Sequence, residues 1–212
     1  MFNIYDKEPT SAISLNLAIK KIKEIYANNK SEKKYFIIAS KEVELQPENI
    51  DNLVEYIDSD KDVLVVGYKL KDNILTDKEY KTFSNDGGIA YQVPWNTCAI
   101  WDYKLFDKYI GEFDEICSNN QLGKLILVIN GDVKYTGYKG MEDGLAISKA
   151  LDKNSNLKYK LLKDELFWNI DGDDERKIDQ KVKLARKNIV LSTFINIKGY
   201  SIEKLRSAAI EE

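Results

Sequence analysis

Histidine is absent from the 212 residues. That excludes Ser-His and Cys-His catalytic arrangements and any zinc site that needs an imidazole, so acid–base chemistry falls to carboxylates, lysine, tyrosine or cysteine. The two cysteines, Cys98 and Cys117, are too few for a disulfide framework or an all-cysteine zinc site, and they read as reduced, partly buried thiols. Long apolar runs are lacking: stretches such as residues 63–67 and 125–129 fall far short of the ~20 residues a membrane helix needs. Residues 1–7 carry no basic segment followed by an apolar one, so no signal peptide is expected. Together these absences point to a reduced, cytoplasmic setting with no transmembrane segment. Arginine is scarce, with only Arg176, Arg186 and Arg206, and the net charge of −3 offers no electrostatic footprint for nucleic acid. The abundance of Lys, Asn and Ile fits an AT-rich genome.

What is present describes a globular protein. The chain is 43% hydrophobic and 32% charged, outside the range of disordered chains. Its length suits one domain, or one domain with an appendage, and buries roughly 70% of the unfolded surface, enough to need no disulfide or metal staple. Leu15, Ala18, Ile19, Ile22, Ile25 and Tyr26 recur at helical spacing over residues 11–28. Residues 35–39 read as a strand, 47–58 as a helix opened by Pro47, and 62–70 as a second strand. This alternation predicts an α/β domain with a mostly parallel sheet.

Further strands are expected at 97–101, 125–130, 157–162 and 166–170, and helices at 104–110 and 142–151. Turns are expected at Asn85-Asp86-Gly87-Gly88 and at Gly131-Asp132. Residues 175–198 read as one long amphipathic helix, ended by Gly199, with Ser201 capping a short final helix. The division that follows is a domain over residues 1–172 and a helical extension over 173–212. Lys181, Lys183, Arg186 and Lys187 form a basic cluster on the long helix. It reads as a solvated face paired with Glu175 and Asp179, or as a contact for an anionic lipid-linked acceptor or a membrane surface.

Three groups of residues, in order, carry a resemblance. The first is residues 11–16 on a helix, residues 35–42 ending in Ser40-Lys41-Glu42, and residues 43–47 opening the next helix. The second is Val93-Pro94-Trp95-Asn96-Thr97, followed by Trp101, Phe106 and Phe113-Asp114. The third is Gly140-Met141-Glu142-Asp143-Gly144. Together they resemble a glycosyltransferase of the GT-A fold, closest to the family-2 type, over about residues 10–170. The resemblance implies a three-layer domain with a mostly parallel sheet, truncated at its N-terminus. Only ten residues precede Ser11, too few for the strand-helix-strand that holds the nucleotide in that family, so the expectation is a fragment, a site completed by another chain, or a module that has lost nucleotide binding.

What the resemblance implies about chemistry is inverting transfer of a sugar from a nucleotide-sugar to a hydroxyl of a glycan or lipid-linked acceptor. Asp143, with Glu142 beside it, takes the role of general base. Ser40, Lys41, Glu42 and Asn16 fall at the donor diphosphate, and Trp95 and Asn96 at the acceptor. Glu42 is the surviving carboxylate of an Asp-x-Asp motif that holds a divalent cation, Mn or Mg, although such ions want several oxygen ligands. Plainer readings stand beside these. Acids favour the first turn of a helix for electrostatic reasons, tryptophan is a common core residue, and Glu42 and Asn16 suit a strand end and a helix face. The rival to an enzyme is a catalytically inactive module of the same fold that binds a glycan or a protein partner. A third role is assembly, as a homo-oligomer built through the C-terminal helix.

Overall fold

The computed structural model describes residues 11–27, 34–72, 88–118, 122–129, 131–169 and 174–210. Most of the turn expected at Asn85-Asp86-Gly87-Gly88 lies outside the described residues. The chain forms an α/β fold around a mixed sheet. In order come α1 (Ser11–Ala27), β1 (Tyr35–Ala39), α2 (Pro47–Asp58), β2 (Val63–Asp72), β3 (Cys98–Asp102) and α3 (Tyr103–Tyr109). They are followed by β4 (Lys124–Ile129), β5 (Asp132–Gly137), α4 (Glu142–Lys153), β6 (Lys158–Trp168), α5 (Asp174–Ala185), α6 (Lys187–Lys198) and α7 (Ile202–Ser207). Short 3-10 turns lie at Ile89–Tyr91 and Glu115–Cys117.

The strand order in the main sheet is β1-β3-β2-β6. β3 runs antiparallel to both β1 and β2, and only β2 and β6 pair in parallel. The expected mostly parallel sheet is therefore corrected to a mixed one. Strands buried on both faces read as apolar runs in either direction, so hydrophobicity cannot report direction. Leu64, Val65 and Val66 are fully buried in the first half of β2, and α2 lays Leu53 and Ile57 over the sheet. The two strands expected at 157–162 and 166–170 are one strand, β6, whose register against β2 shifts between Leu162 and Glu165. The hairpin turn expected at Gly131-Asp132 joins β4 to β5 in a separate two-stranded ribbon.

The expected long helix is interrupted at Arg186, which separates α5 from α6. The two halves have different neighbours: α5 packs on the β4–β5 ribbon, while α6 packs on α4 and the 89–91 turn. Arg186 itself is buried, donating to the Gly137 carbonyl at 3.0 Å and to the Thr136 hydroxyl. Val182, Leu184, Leu191, Phe194 and Leu205 belong to the same hydrophobic core as the sheet, so the C-terminal helices complete that core. Gly199 closes α6 and Ser201 caps α7, accepting from the Lys204 amide. Among the described residues no helix is long and apolar enough to cross a membrane.

Two details of the core position the site. Phe36, Trp101, Phe106 and Phe113 form one buried aromatic cluster, with ring centroids 5.0 to 6.3 Å apart. Burial of the Trp101 indole requires a partner for its N–H, and that partner is the Asn96 side-chain oxygen at 3.1 Å. The loop carrying Asn96 lies close over β2 because residue 67 is glycine. A Cβ there would stand 2.8 Å from Pro94 Cβ and 2.9 Å from the Cys98 carbonyl oxygen. Gly67→Ala is therefore expected to cost about 1–3 kcal/mol through overpacking, read as a melting temperature lowered by several degrees. An unchanged melting curve would show that the loop is not seated on β2.

Candidate functional site

A cleft of about 410 Å³ opens at the carboxyl end of β1. Ser40 and Glu42 enter it from that strand end, Asn96 and Thr97 from the loop before β3, and Gly140 to Asp143 from the start of α4. Trp168 closes one side from β6, and Gln180, Lys183, Arg186 and Lys187 form a wall from α5 and α6. Three segments about fifty residues apart in sequence thus meet in one place.

The acid pair is built into the structure. α4 is buried along almost its whole length, including Glu142 and Asp143 at 9% and 5% exposed. Asp143 Oδ2 accepts from the Asn96 backbone N–H at 2.8 Å, and Oδ1 from the Gly144 N–H at 2.7 Å. Glu142 is less well supported, because its Oε2 is buried with no hydrogen-bond partner. Burial, reinforced by the Asp143 charge, pushes the Glu142 carboxyl up to about 7. Burial likewise raises Asp143, opposed by Lys187 and by its two backbone donors. The approach to α4 uses two successive left-handed residues, Gly140 at φ +86° and Met141 at φ +64°. For methionine that conformation is strained, a feature that collects at functional sites.

The opposite wall is cationic. The Lys187 ammonium rests 3.1 Å from the centroid of the Trp95 ring, a cation–π contact. Desolvation pushes it down to about 7 against the pull of Asp143, and Lys183 adds to the depression. Lys183 is also lowered, with desolvation the leading cause, although the residue is exposed at the cleft. Lys139 adds a further positive charge at the mouth.

Glu42 stands at the edge with every need met. It accepts from the Ser40 hydroxyl at 2.6 Å and from the Trp168 indole N–H at 3.4 Å, and forms an ion pair with Arg176. Burial raises its carboxyl, but these hydrogen bonds and the guanidinium outweigh burial and hold it below its ordinary value. Among the described residues no group of three acids or cysteines is placed to hold a metal. With its carboxylate bonded to Arg176, Glu42 does not fit the role of a ligand to Mn or Mg.

The structure thus brings together Ser40, Glu42, Asn96, Glu142 and Asp143, and places three other candidates elsewhere. Asn16 clamps α1 to the chain before the second 3-10 turn, donating to the Phe113 carbonyl at 2.9 Å and accepting its N–H at 2.8 Å. Lys41 is exposed at a turn and does not line the cleft. Trp95 is buried behind the wall, with its N–H donated to the Ala90 carbonyl at 2.6 Å, and serves as the seat of Lys187. Gln180 lines the cleft and Arg176 pairs with Glu42, yet neither carries a signal in the sequence. Of the basic cluster expected on the C-terminal helix, Lys183, Arg186 and Lys187 line the cleft. Cys98 and Cys117 are fully buried, and burial raises both thiols, Cys98 to about 11, so neither suits a nucleophile.

Compared with protein families, with curated proteins and with solved structures, the chain finds no match in any of the three.

The raised Glu142 carboxyl has a consequence for stability. In the folded protein it titrates near 7, against 4.5 for an unperturbed glutamate. The folded state therefore carries an ionisation penalty that is absent below the unfolded value and complete once pH passes the folded one. Glu142→Gln removes the penalty. Its melting temperature is expected to exceed that of the wild type by on the order of 5 °C at about pH 8, with the difference vanishing near about pH 4. A difference independent of pH would show that Glu142 titrates as an ordinary glutamate.

Proposed function

We propose that the cleft carries out inverting glycosyl transfer, moving a sugar from a nucleotide-sugar to a hydroxyl of a glycan or lipid-linked acceptor. One observation carries this reading. The three segments that resemble a family-2 glycosyltransferase of the GT-A fold converge on a single cleft, and that cleft holds unpaired polar atoms suited to hydroxyl groups. Asn96 Nδ2, Glu142 Oε2 and Gln180 Oε1 are buried and unpartnered, and all three residues line it. A polyhydroxylated ligand satisfies a donor and two acceptors together, because each hydroxyl both donates and accepts. Leaving such groups unmet costs about 1–3 kcal/mol apiece.

In the reaction the acceptor oxygen forms its bond to the anomeric carbon as the bond to the diphosphate oxygen breaks. The hydroxyl proton passes to a carboxylate and the electron pair of the broken bond leaves with the diphosphate. The resemblance assigns the base to Asp143. The local geometry favours its neighbour: both Asp143 oxygens already accept backbone N–H groups, whereas Glu142 keeps a free oxygen and a carboxyl near neutrality. Asp143 then joins the loop to α4 and holds Glu142 in place.

The Glu42–Arg176 pair favours a second reading, a module of the same fold that holds a glycan without turning it over. Turnover of a panel of nucleotide-sugars, with release of nucleoside diphosphate as readout, separates the two. Under the first reading Glu142→Gln lowers kcat about 10²–10⁴-fold with KM little changed, and Asp143→Asn, which disturbs the same anchor, also abolishes most activity. Glycan binding with no turnover of any donor would establish the second reading. Activity undiminished in both variants would remove the acid pair from the mechanism.

A further inference from the structure

We infer that the cleft binds a phosphate ester without a divalent metal, with Lys183 and Lys187 meeting its charge. The carboxylate that a metal would need, Glu42, is bonded to Arg176, Ser40 and Trp168. Positive charge is supplied instead by the protein. Four cationic and three acidic side chains line the cleft, and one of the acids is the Glu42 already neutralised by Arg176. The cleft is thus locally positive in a chain whose net charge is −3.

Two features make this wall an anion site rather than a solvated helix face. Lys183 and Lys187 stand four residues apart where α5 runs into α6, a spacing at which like charges repel. Buried Arg186 lies between them. Neither lysine makes an ion pair with a described carboxylate, and Lys187 is held in place on the Trp95 ring. An anion between the two ammoniums relieves the repulsion and compensates the desolvation of Lys187. Independently, the Asn96 amide, 9% exposed, keeps an unpartnered Nδ2 donor. A phosphate oxygen, or a hydroxyl next to it, satisfies that donor.

The same groups set the pH dependence. Lys187 loses its proton, and Glu142 ionises, as pH rises through about 7. The first removes a positive charge and the second adds a negative one beside the Asp143 carboxyl. Lys183 is lowered as well, and the Glu42–Arg176 pair at the far edge stays neutral overall. Affinity therefore falls across neutrality.

The binding stands on the lysines; it rests on the glycosyl-transfer reading only for the identity of the natural ligand. The test is calorimetric titration of the full chain with pyrophosphate, with uridine diphosphate and with glucose 1-phosphate, each in EDTA and in excess Mn²⁺. Binding of at least one probe in EDTA is expected, changed less than about twofold by Mn²⁺ and weakened about tenfold or more between pH 6 and pH 8.5. Which probe binds tightest separates a diphosphate from a sugar phosphate as the source. Lys183→Met and Lys187→Met are each expected to weaken binding about tenfold, and Lys187→Arg to restore most of it at high pH. Lys183 is exposed, so its variant reports on binding even where replacement of Lys187 disturbs folding. Three results would overturn the inference: no probe bound in EDTA by folded protein, binding that appears only with Mn²⁺, or binding untouched in Lys183→Met. Turnover that requires Mn²⁺ would overturn it while leaving glycosyl transfer standing, and anion binding without turnover would do the reverse.

Discussion

The hydrogen bond from the Asn96 backbone amide to the Asp143 carboxylate is the contact on which the site depends. It ties the loop before β3 to the start of α4, two segments forty-seven residues apart. A buried carboxylate without donors would cost several kcal/mol or be forced to protonate, so the bond is required once α4 is buried along its length. It is held from behind. Trp101, locked in the aromatic cluster, donates to the Asn96 side chain, and the missing side chain at Gly67 lets Pro94 bring the loop down onto β2. Core packing, loop placement and the position of the acid pair are therefore one arrangement.

Around that anchor the cleft collects groups that a purely structural interior would avoid. Two neighbouring acids are buried at the start of one helix, two lysines repel each other across a helix interruption, and Met141 holds a left-handed backbone. Three buried polar atoms lack partners in the same place. Local conflict of this kind costs stability and is characteristically kept where a ligand resolves it. Glu42 illustrates the contrast: it has a hydroxyl, an indole and a guanidinium about it, and its carboxyl lies below its ordinary value instead of above. The buried acids and the cations thus stand on different walls, the former at the start of α4 and the latter on α5 and α6.

Much of the fold is legible in the residues themselves. The proline that opens α2, the hairpin turn before Asp132 and the caps at Gly199 and Ser201 depend on neighbours within a few positions, and each stands where local chemistry puts it. The candidate site is legible in part for a different reason. Ser40, Glu42, Asn96, Glu142 and Asp143 lie at strand ends and a helix start, and in an α/β fold such positions gather at one end of the sheet. Asn16 and Trp95 show where this reasoning fails. An amide that clamps a backbone segment and an indole that seats a lysine look, in sequence, the same as residues that meet a sugar.

The sequence by itself determined most of the elements, their order and the absence of imidazole chemistry, because these follow from local periodicity and composition; the thiols were set aside only by their burial in the folded chain. Strand direction in β3, the merging of β6, the break at Arg186 and the turn of Lys183 and Lys187 toward the acids were decided only by tertiary structure. Periodicity marks which face of a helix or strand is buried but carries no record of what lies opposite. The character of the cleft arises from that opposition: carboxylates and ammoniums far apart in the chain become neighbours, and burial shifts both toward neutrality.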